Sequence, residues 1–336
     1  MVKEAIRMLV EGRSLTIEQA EGVMKEIMNG EATPAQFGAF VTALRLKGET
    51  VDEIVGMVKI MRDKAIHVRV DGPVVDTCGT GGDAAGTFNI STATALVAAG
   101  AGLKVAKHGN RAMSSQCGSA DVLESLGVKI DLDAEGVGRC IEEVGIGFMF
   151  APLFHPAMKY AAAPRREIGI RTVFNLIGPL TNPAGAKAQV VGVANREMAE
   201  KIAMALEGLG CRHALVVHGE SGLDEIAING RTIIYEIKDN EIESYYISPG
   251  DFGLPEAGLD SIRGGTAAEN ATILRSVLSG NRGPQRDVVL INTAAVLLAG
   301  DRVENMKQGI EMAEEVIDSG RAMQKLERLV EFSQSL

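Results

Sequence analysis

Residues 76–92 read DTCGTGGDAAGTFNIST. Asp76 closes a short apolar run, Gly79-Thr80-Gly81-Gly82-Asp83 is a glycine cluster suited to a loop, and an apolar helical pattern begins near Ile90 or Ser91. A strand that turns through glycines into a helix is the building unit of an α/β domain, so this stretch sets the fold class. Glycines also let backbone N–H groups approach an anion, and a helix N-terminus adds unpaired donors and a favourable dipole. Thr87, Asn89, Ser91 and Thr92 supply further side-chain donors. The pattern is neither the Walker sequence, which carries a lysine directly after its last glycine, nor GxGxxG. Alone, it is better read as a tight turn capped by Asn89 or Ser91.

It is not alone. Residues 107–127 read KHGNRAMSSQCGSADVLESLG and follow the strand-like run Leu103–Ala106. This second loop therefore sits at the carboxyl end of a strand, where α/β sheets bind ligands. Lys107 and Arg111 bring positive charge beside donors from Ser114, Ser115 and Ser119. His108 either meets a ligand or holds the loop. The bland reading, solvated cations and a serine capping helix 120–126, loses weight because two such loops fall on neighbouring strands. Together they suit a phosphorylated ligand.

A third loop, Gly222-Leu223-Asp224-Glu225, follows the strand-like run Ala214–His218. Adjacent acids are usually solvated surface. Phosphorylated ligands, however, arrive with Mg²⁺, which binds through one or two carboxylates plus substrate phosphates, and that context favours Asp224 and Glu225 as its ligands. The chain contains no GxSxG, no HExxH and no cysteine–histidine pattern of metal spacing.

Outward from these loops the chain changes texture at Val70-Asp71-Gly72-Pro73. Before it, Thr16 with Gln19, Thr33 with Pro34 and Gln36, and Thr50 with Glu53 match capping boxes, while Asn29-Gly30 and Lys47-Gly48 stop helices. A small all-helical domain over residues 1–70 is expected. Phe37, Phe40, Val41 and Leu44, and then Ile54, Met57, Val58 and Met61, form apolar stripes for a core or a subunit interface. Beyond residue 71, strands are expected near Val74–Asp76, Leu103–Ala106, Gly147–Phe150, Gln189–Val193 and Ala214–His218. Helices are expected near 91–99, 119–126, 134–143, 197–206, 270–278, 288–299 and 303–319. The alternation predicts a larger α/β domain over residues 71–336, with a mixed, largely parallel central sheet. Thr232–Ile247 reads as a hairpin around Lys238-Asp239-Asn240.

Composition narrows the class. A chain of 336 residues exceeds what one core usually serves, which favours two domains. A net charge of −10 argues against a broad nucleic-acid surface, so an anionic ligand must be met by local cations. Apolar runs such as Val288–Ala299 fall short of a membrane span, and four cysteines without CxxC pairing fit reduced thiols in the cytoplasm.

GTGGD at 79–83, TFNIST at 87–92, KHGNRAMSS at 107–115, GSADVLESLG at 118–127, HPAMK at 155–159, RREIGIRTVFNLIGPLTNPA at 165–184 and GLDE at 222–225 occur in this order. With these motifs the chain closely resembles the anthranilate phosphoribosyltransferases of tryptophan biosynthesis over nearly its full length. The resemblance implies a nucleoside phosphorylase/phosphoribosyltransferase-like fold, a helical domain joined by a segment near 164–180, and a homodimer formed through that domain over the apolar stripes. It implies transfer of a 5-phosphoribosyl group from phosphoribosyl pyrophosphate to the amine of anthranilate, with Mg²⁺ as cofactor. Gly79, Gly82, Asp83, Thr87, Asn89, Ile90, Ser91 and Thr92 would surround phosphoribosyl pyrophosphate. Lys107, His108, Gly109, Asn110, Arg111, Ala112, Met113, Ser114, Ser115 and Ser119 would complete that site. Ser91, Asp224 and Glu225 would hold Mg²⁺. Gly79, Asn110, Arg165 and Gly178 would meet anthranilate. Lys107 and Asn110 would act by charge and positioning, with no general base. The competing expectations are a pyrimidine nucleoside phosphorylase, which breaks a glycosidic bond with phosphate, and a non-catalytic relative that binds nucleic acid.

Overall fold

The protein is described by a computed structural model covering residues 1–112 and 116–336. It opens with four helices, α1 (Val2–Val10), α2 (Ile17–Met28), α3 (Pro34–Lys47) and α4 (Val51–Asp63). The three capping boxes are formed as expected: Thr16, Thr33 and Thr50 accept from the backbone of Gln19, Gln36 and Glu53, whose side chains return the bond. Such caps fix where a helix starts before any tertiary contact exists.

The α/β region then runs β1 (Val75–Gly79), α5 (Ile90–Gly100), β2 (Val105–Gly109), α6 (Ser119–Ser125), α7 (Ala134–Val144), β3 (Ile146–Phe150) and α8 (Ala151–Phe154). It continues with α9 (Lys159–Ile168), α10 (Phe174–Ile177), β4 (Ala188–Gly192), α11 (Arg196–Gly208), β5 (His213–Gly219), β6 (Thr232–Lys238) and β7 (Glu241–Ile247). Four helices finish it: α12 (Ala267–Leu278), α13 (Pro284–Ala299), α14 (Met306–Asp318) and α15 (Arg321–Gln334). The seven strands form one sheet in the order β3-β2-β1-β4-β5-β6-β7. β1 to β5 are parallel and β6 and β7 antiparallel, which matches the expected mixed sheet. The hairpin turns through Asp239 and Asn240, both at positive φ, as a two-residue turn between right-twisted strands requires.

Both sheet faces are covered. Along β5, Leu215 and Val217 join the core under α5 and α12 to α15, while Ala214 and Val216 join a second core with α11 and the helical region. The stripe residues Phe37, Phe40, Val41, Leu44, Ile54, Met57, Val58 and Met61 are all buried in that second core. This corrects the expectation that they lie exposed for a partner subunit: α9, α10 and α11 of the same chain take them up. α9 packs on α2 and α3, so the segment after residue 159 belongs spatially to the helical region. No helix among the described residues is long and apolar enough to cross a membrane.

Candidate active site

Strand order reverses between β1 and β4, so their connections leave in opposite directions and open a crevice at their carboxyl ends. The first, second and third loops all issue there, from β1, β2 and β5. The third loop lies across the ends of β1 and β4. A Cβ at Gly79 would stand 2.3 Å from Asp224 Oδ2, and one at Gly192 only 1.6 Å from the Asp224 carbonyl oxygen. Glycine at these strand ends is therefore a packing requirement of the acidic loop. The Gly81 N–H in turn donates to Asp224 Oδ2 at 2.7 Å.

Lys107 is buried at the end of β2 and its ammonium donates to Thr77 O at 2.8 Å and Ser91 Oγ at 3.3 Å. Burial lowers its pKa, and the charge of Asp76 works the other way. Asp76, wholly buried, accepts from the Thr77 N–H at 2.8 Å, the His108 N–H at 3.3 Å and Asn182 Nδ2 at 2.7 Å. One carboxylate thus ties together the strand ends that carry both phosphate loops.

The remaining expected donor residues divide by role. Asn89 donates to Cys117 O at 3.2 Å and accepts from Asn270 at 2.8 Å, so its side chain locks the two loops together. Ser119 is not the cap of α6; Gly118 holds that position, and Ser119 Oγ donates back to Asn110 O at 3.4 Å. Ile90 is core, and the buried Thr92 hydroxyl has no partner among the described residues. Thr87 bridges to Arg263, so residues 262–264 cover the first loop. Gly109 approaches Ser119 too closely for a Cβ, while the Ala112 N–H donates to Asp121. Arg111 donates to Asp121 at 2.9 Å and to Glu124 at 2.8 Å, which raises its pKa, and lies over Phe150. Its charge is committed to α6. Met113, Ser114 and Ser115 lie outside the described residues.

Asp224 and Glu225 keep some exposed surface but are walled in by protein. Burial, then the charge of Asp83, pushes Asp224 up to about 7; burial, then Asp224, drives Glu225 well above the carboxylate range. The Ser91 backbone N–H favours the charged form of Glu225, placing that residue beside the start of α5. Asn292 of α13 fixes the loop from below, accepting from Ile226 N–H at 2.9 Å and donating to Ile226 O at 3.0 Å. Neighbouring carboxylates held at such a disadvantage favour a bound cation. Among the described residues no three metal-binding side chains converge on one point, so a protein-only metal cage is absent. An all-oxygen pair open toward a phosphate loop fits Mg²⁺ that completes its shell from a ligand.

Successive strand residues face opposite sides, so His108 points away from Lys107. Its ring lies 5.1 Å from that of His155, centroid to centroid, with Gly178 backbone beside it. Burial takes His108 down to about 3 and His155 to about 4, so both rings are neutral, and each leaves Nε2 without a partner among the described residues. Nearby in sequence, Arg165 of α9 lies 5.3 Å over the Phe174 ring, which itself meets Phe37 at 5.5 Å. No carboxylate pairs with Arg165 among the described residues, and burial lowers its pKa. The sequence reading missed Asp76, Asn182, Asn292, His155 and Arg171. His155 and Arg171 lie inside quoted motifs, HPAMK and RREIGIRT, but nothing in the spacing marked them out.

Two models of one glycosyl transferase family match the chain, the helical bundle domain over residues 3–65 and the a/b domain over residues 71–323. The anthranilate phosphoribosyltransferase of Chloroflexus aurantiacus is 59% identical over 334 residues, covering 99% of this chain and 98% of that protein. The crystal structure of anthranilate phosphoribosyltransferase from Thermus thermophilus aligns with a TM-score of 0.93 at 45% identity, over 98% of this chain and 99% of that one. The Saccharomyces cerevisiae enzyme in complex with PRPP and Mg aligns with a TM-score of 0.91 at 30% identity, over 100% of this chain and 98% of that one. The same yeast enzyme is known in complex with 4-fluoroanthranilate.

Proposed function

Since this chain belongs to the glycosyl transferase family and, within it, to the anthranilate phosphoribosyltransferases, we propose that it transfers the 5-phosphoribosyl group from phosphoribosyl pyrophosphate to the amine of anthranilate in tryptophan biosynthesis. The observation that carries the assignment to these residues is the pairing of two unlike subsites at one strand-end crevice. On the Lys107 side stand a buried ammonium, glycine-loop N–H groups and the Asp224–Glu225 pair. On the His108 side stand neutral imidazoles, the Gly178 backbone and, on the following strap, an unpaired arginine stacked on an aromatic ring. The first suits a Mg²⁺ polyphosphate; the second suits a flat, apolar carboxylate.

In the reaction the bond from the anomeric carbon to pyrophosphate breaks and a bond to the amine nitrogen forms, the amine proton leaving to pyrophosphate or solvent. Ser91, Asp224 and Glu225 would hold Mg²⁺, which would supply charge neutralisation for the departing pyrophosphate. Lys107 adds fixed positive charge at the same place, preorganised by Thr77 and Ser91. The N–H groups of Gly82 and Asp83, without a partner among the described residues, receive the phosphates between Gly79 and the turn Asn89 to Thr92. Lys107 to Ala112 with Ser119 border the ribose, although the Arg111 side chain is held by α6 and its N–H by Asn110 Oδ1. Arg165 orients the anthranilate carboxylate, while Asn110 and Gly178 complete the acceptor wall. A neutral aromatic amine needs no base to attack, and the neutral His108 and His155 keep that wall free of competing charge.

The division into residues 1–70 and 71–336 joined by a segment near 164–180 is the organisation we adopt, with α9 packing on α2 and α3 in its support. The chain acts as a cytoplasmic homodimer through its helical domain. Exposed Val10, Leu46 and Tyr160 support that surface in place of the buried stripes. The test of function is loss of anthranilate fluorescence. Loss that requires phosphoribosyl pyrophosphate and Mg²⁺ together is expected; folded protein that leaves anthranilate unchanged overturns the reading.

A further inference from the structure

Arg171 stands six residues after Arg165, beyond the left-handed Gly169 that ends α9. Its side chain crosses the crevice to the first loop, where Nη2 donates to Thr80 O at 2.8 Å. The guanidinium lies flat against Gly82: a Cβ there would stand 2.1 Å from Nη1 and 2.4 Å from Cζ. Gly82 also adopts φ +82°, so conformation and contact both require glycine. Burial lowers the Arg171 pKa, Asp224 and Asp83 favour the charged guanidinium, and Arg45 opposes them.

The consequence lies in which backbone groups remain for a ligand. The Thr80 N–H is used by Gly192 O at 2.8 Å, the Gly81 N–H by Asp224, and the Thr80 carbonyl by Arg171. The N–H groups of Gly82 and Asp83 have no partner among the described residues. With the Thr80 carbonyl held by Arg171, the Gly82 and Asp83 N–H groups stand beside it as donors for an anion.

We propose that Arg171 is a positioning residue for the phosphoribosyl pyrophosphate, fixing the glycine loop from the strap that also carries Arg165. The proposal rests on the function assigned above and adds a physical link between donor loop and acceptor strap. Arg171 is itself exposed, so its replacement leaves the cores untouched.

The test compares wild type with Arg171→Met, which keeps apolar length without a donor, and Arg171→Lys, which restores a cationic donor. Binding of phosphoribosyl pyrophosphate with Mg²⁺ is measured by calorimetry without anthranilate, and both KM values by steady-state kinetics. Arg171→Met is expected to weaken donor binding about tenfold, the loss of one charge-assisted hydrogen bond, with the anthranilate KM within about twofold of wild type. Arg171→Lys is expected to recover most of that loss. If Arg171→Met does not fold, Arg171→Gln, too short to reach Thr80, carries the same expectation. Donor binding equal to wild type, equal rises in both KM values, or no recovery with lysine overturns the proposal. A wild-type protein that binds no donor overturns the assigned function first.

Discussion

At the residue scale the site depends on groups that never touch a substrate. Asp76 organises both loops through three hydrogen bonds, yet in sequence it is one acid at the end of an apolar run. Lys107, Asp224 and Glu225 stand out in the sequence, and are proposed as site residues, because charge beside glycine or serine loops is unusual and chemically suggestive. Asp76, Asn182 and Asn292 were not, because their role is to satisfy backbone groups brought near only by the fold. His108 and His155 carry a measurable consequence. Both are buried and neutral, at about 3 and about 4, against an unfolded value near 6.5. Between those limits the unfolded chain binds more protons, so stability present above pH 6.5 is lost as pH falls. From pH 7 to pH 5 each ring costs about 2 kcal/mol on this reasoning. The double variant His108→Asn, His155→Asn should therefore lose less stability than wild type over that interval, read from denaturant midpoints at both pH values. Equal losses would show that neither ring is buried as described.

At the element scale the loops are placed by strand ends. Gly79 and Gly192 let the acidic loop cross directly over β1 and β4. Gly192→Ala should push Asp224 out of place and abolish most Mg²⁺-dependent turnover while the protein still melts cooperatively; full activity in that variant would contradict the crossing. The capped helices α2, α3 and α4 were readable to within a residue because threonine and its partner are local signals. Other helices escaped the pattern, α8 and α15 entirely and α9 at its start. α15 starts after the left-handed Gly320 with no side-chain cap, and its buried stripe of Ala322, Leu326 and Leu329 is thin among charged residues. α9 contains Pro164, which reads as a helix breaker; it lies inside the ten-residue helix, past the first turn, where it removes one backbone hydrogen bond. The strands were legible as apolar runs, although β1 and β2 extend into glycine loops that composition alone assigns to turns.

At the scale of the whole molecule the helical region is not an appendage. Phe40, Leu44, Ile54 and Met57 share one core with Ile202 and Leu206 of α11 and with Val191 and Val216 of the sheet. Deleting residues 1–65 would bare that face, and the remaining chain should be insoluble or melt without cooperativity. A stable, cooperatively melting fragment would contradict the shared core. The two-region organisation was legible from the change in periodicity near residue 70, but the joint core was not. Periodicity marks an apolar stripe without saying what covers it, so stripes that fitted a subunit interface are filled by the chain's own α9, α10 and α11. That packing seats α9, which carries Arg165, against α2 and α3.

The proposal of two adjoining sites with separate ligands is tested by steady-state kinetics of Arg165→Ala. Loss of one charge-assisted contact present in ground and transition states alike should raise the anthranilate KM about 10- to 100-fold. kcat and the KM for phosphoribosyl pyrophosphate should stay within about twofold of wild type. An unchanged anthranilate KM, or an equal loss toward both substrates, would contradict it.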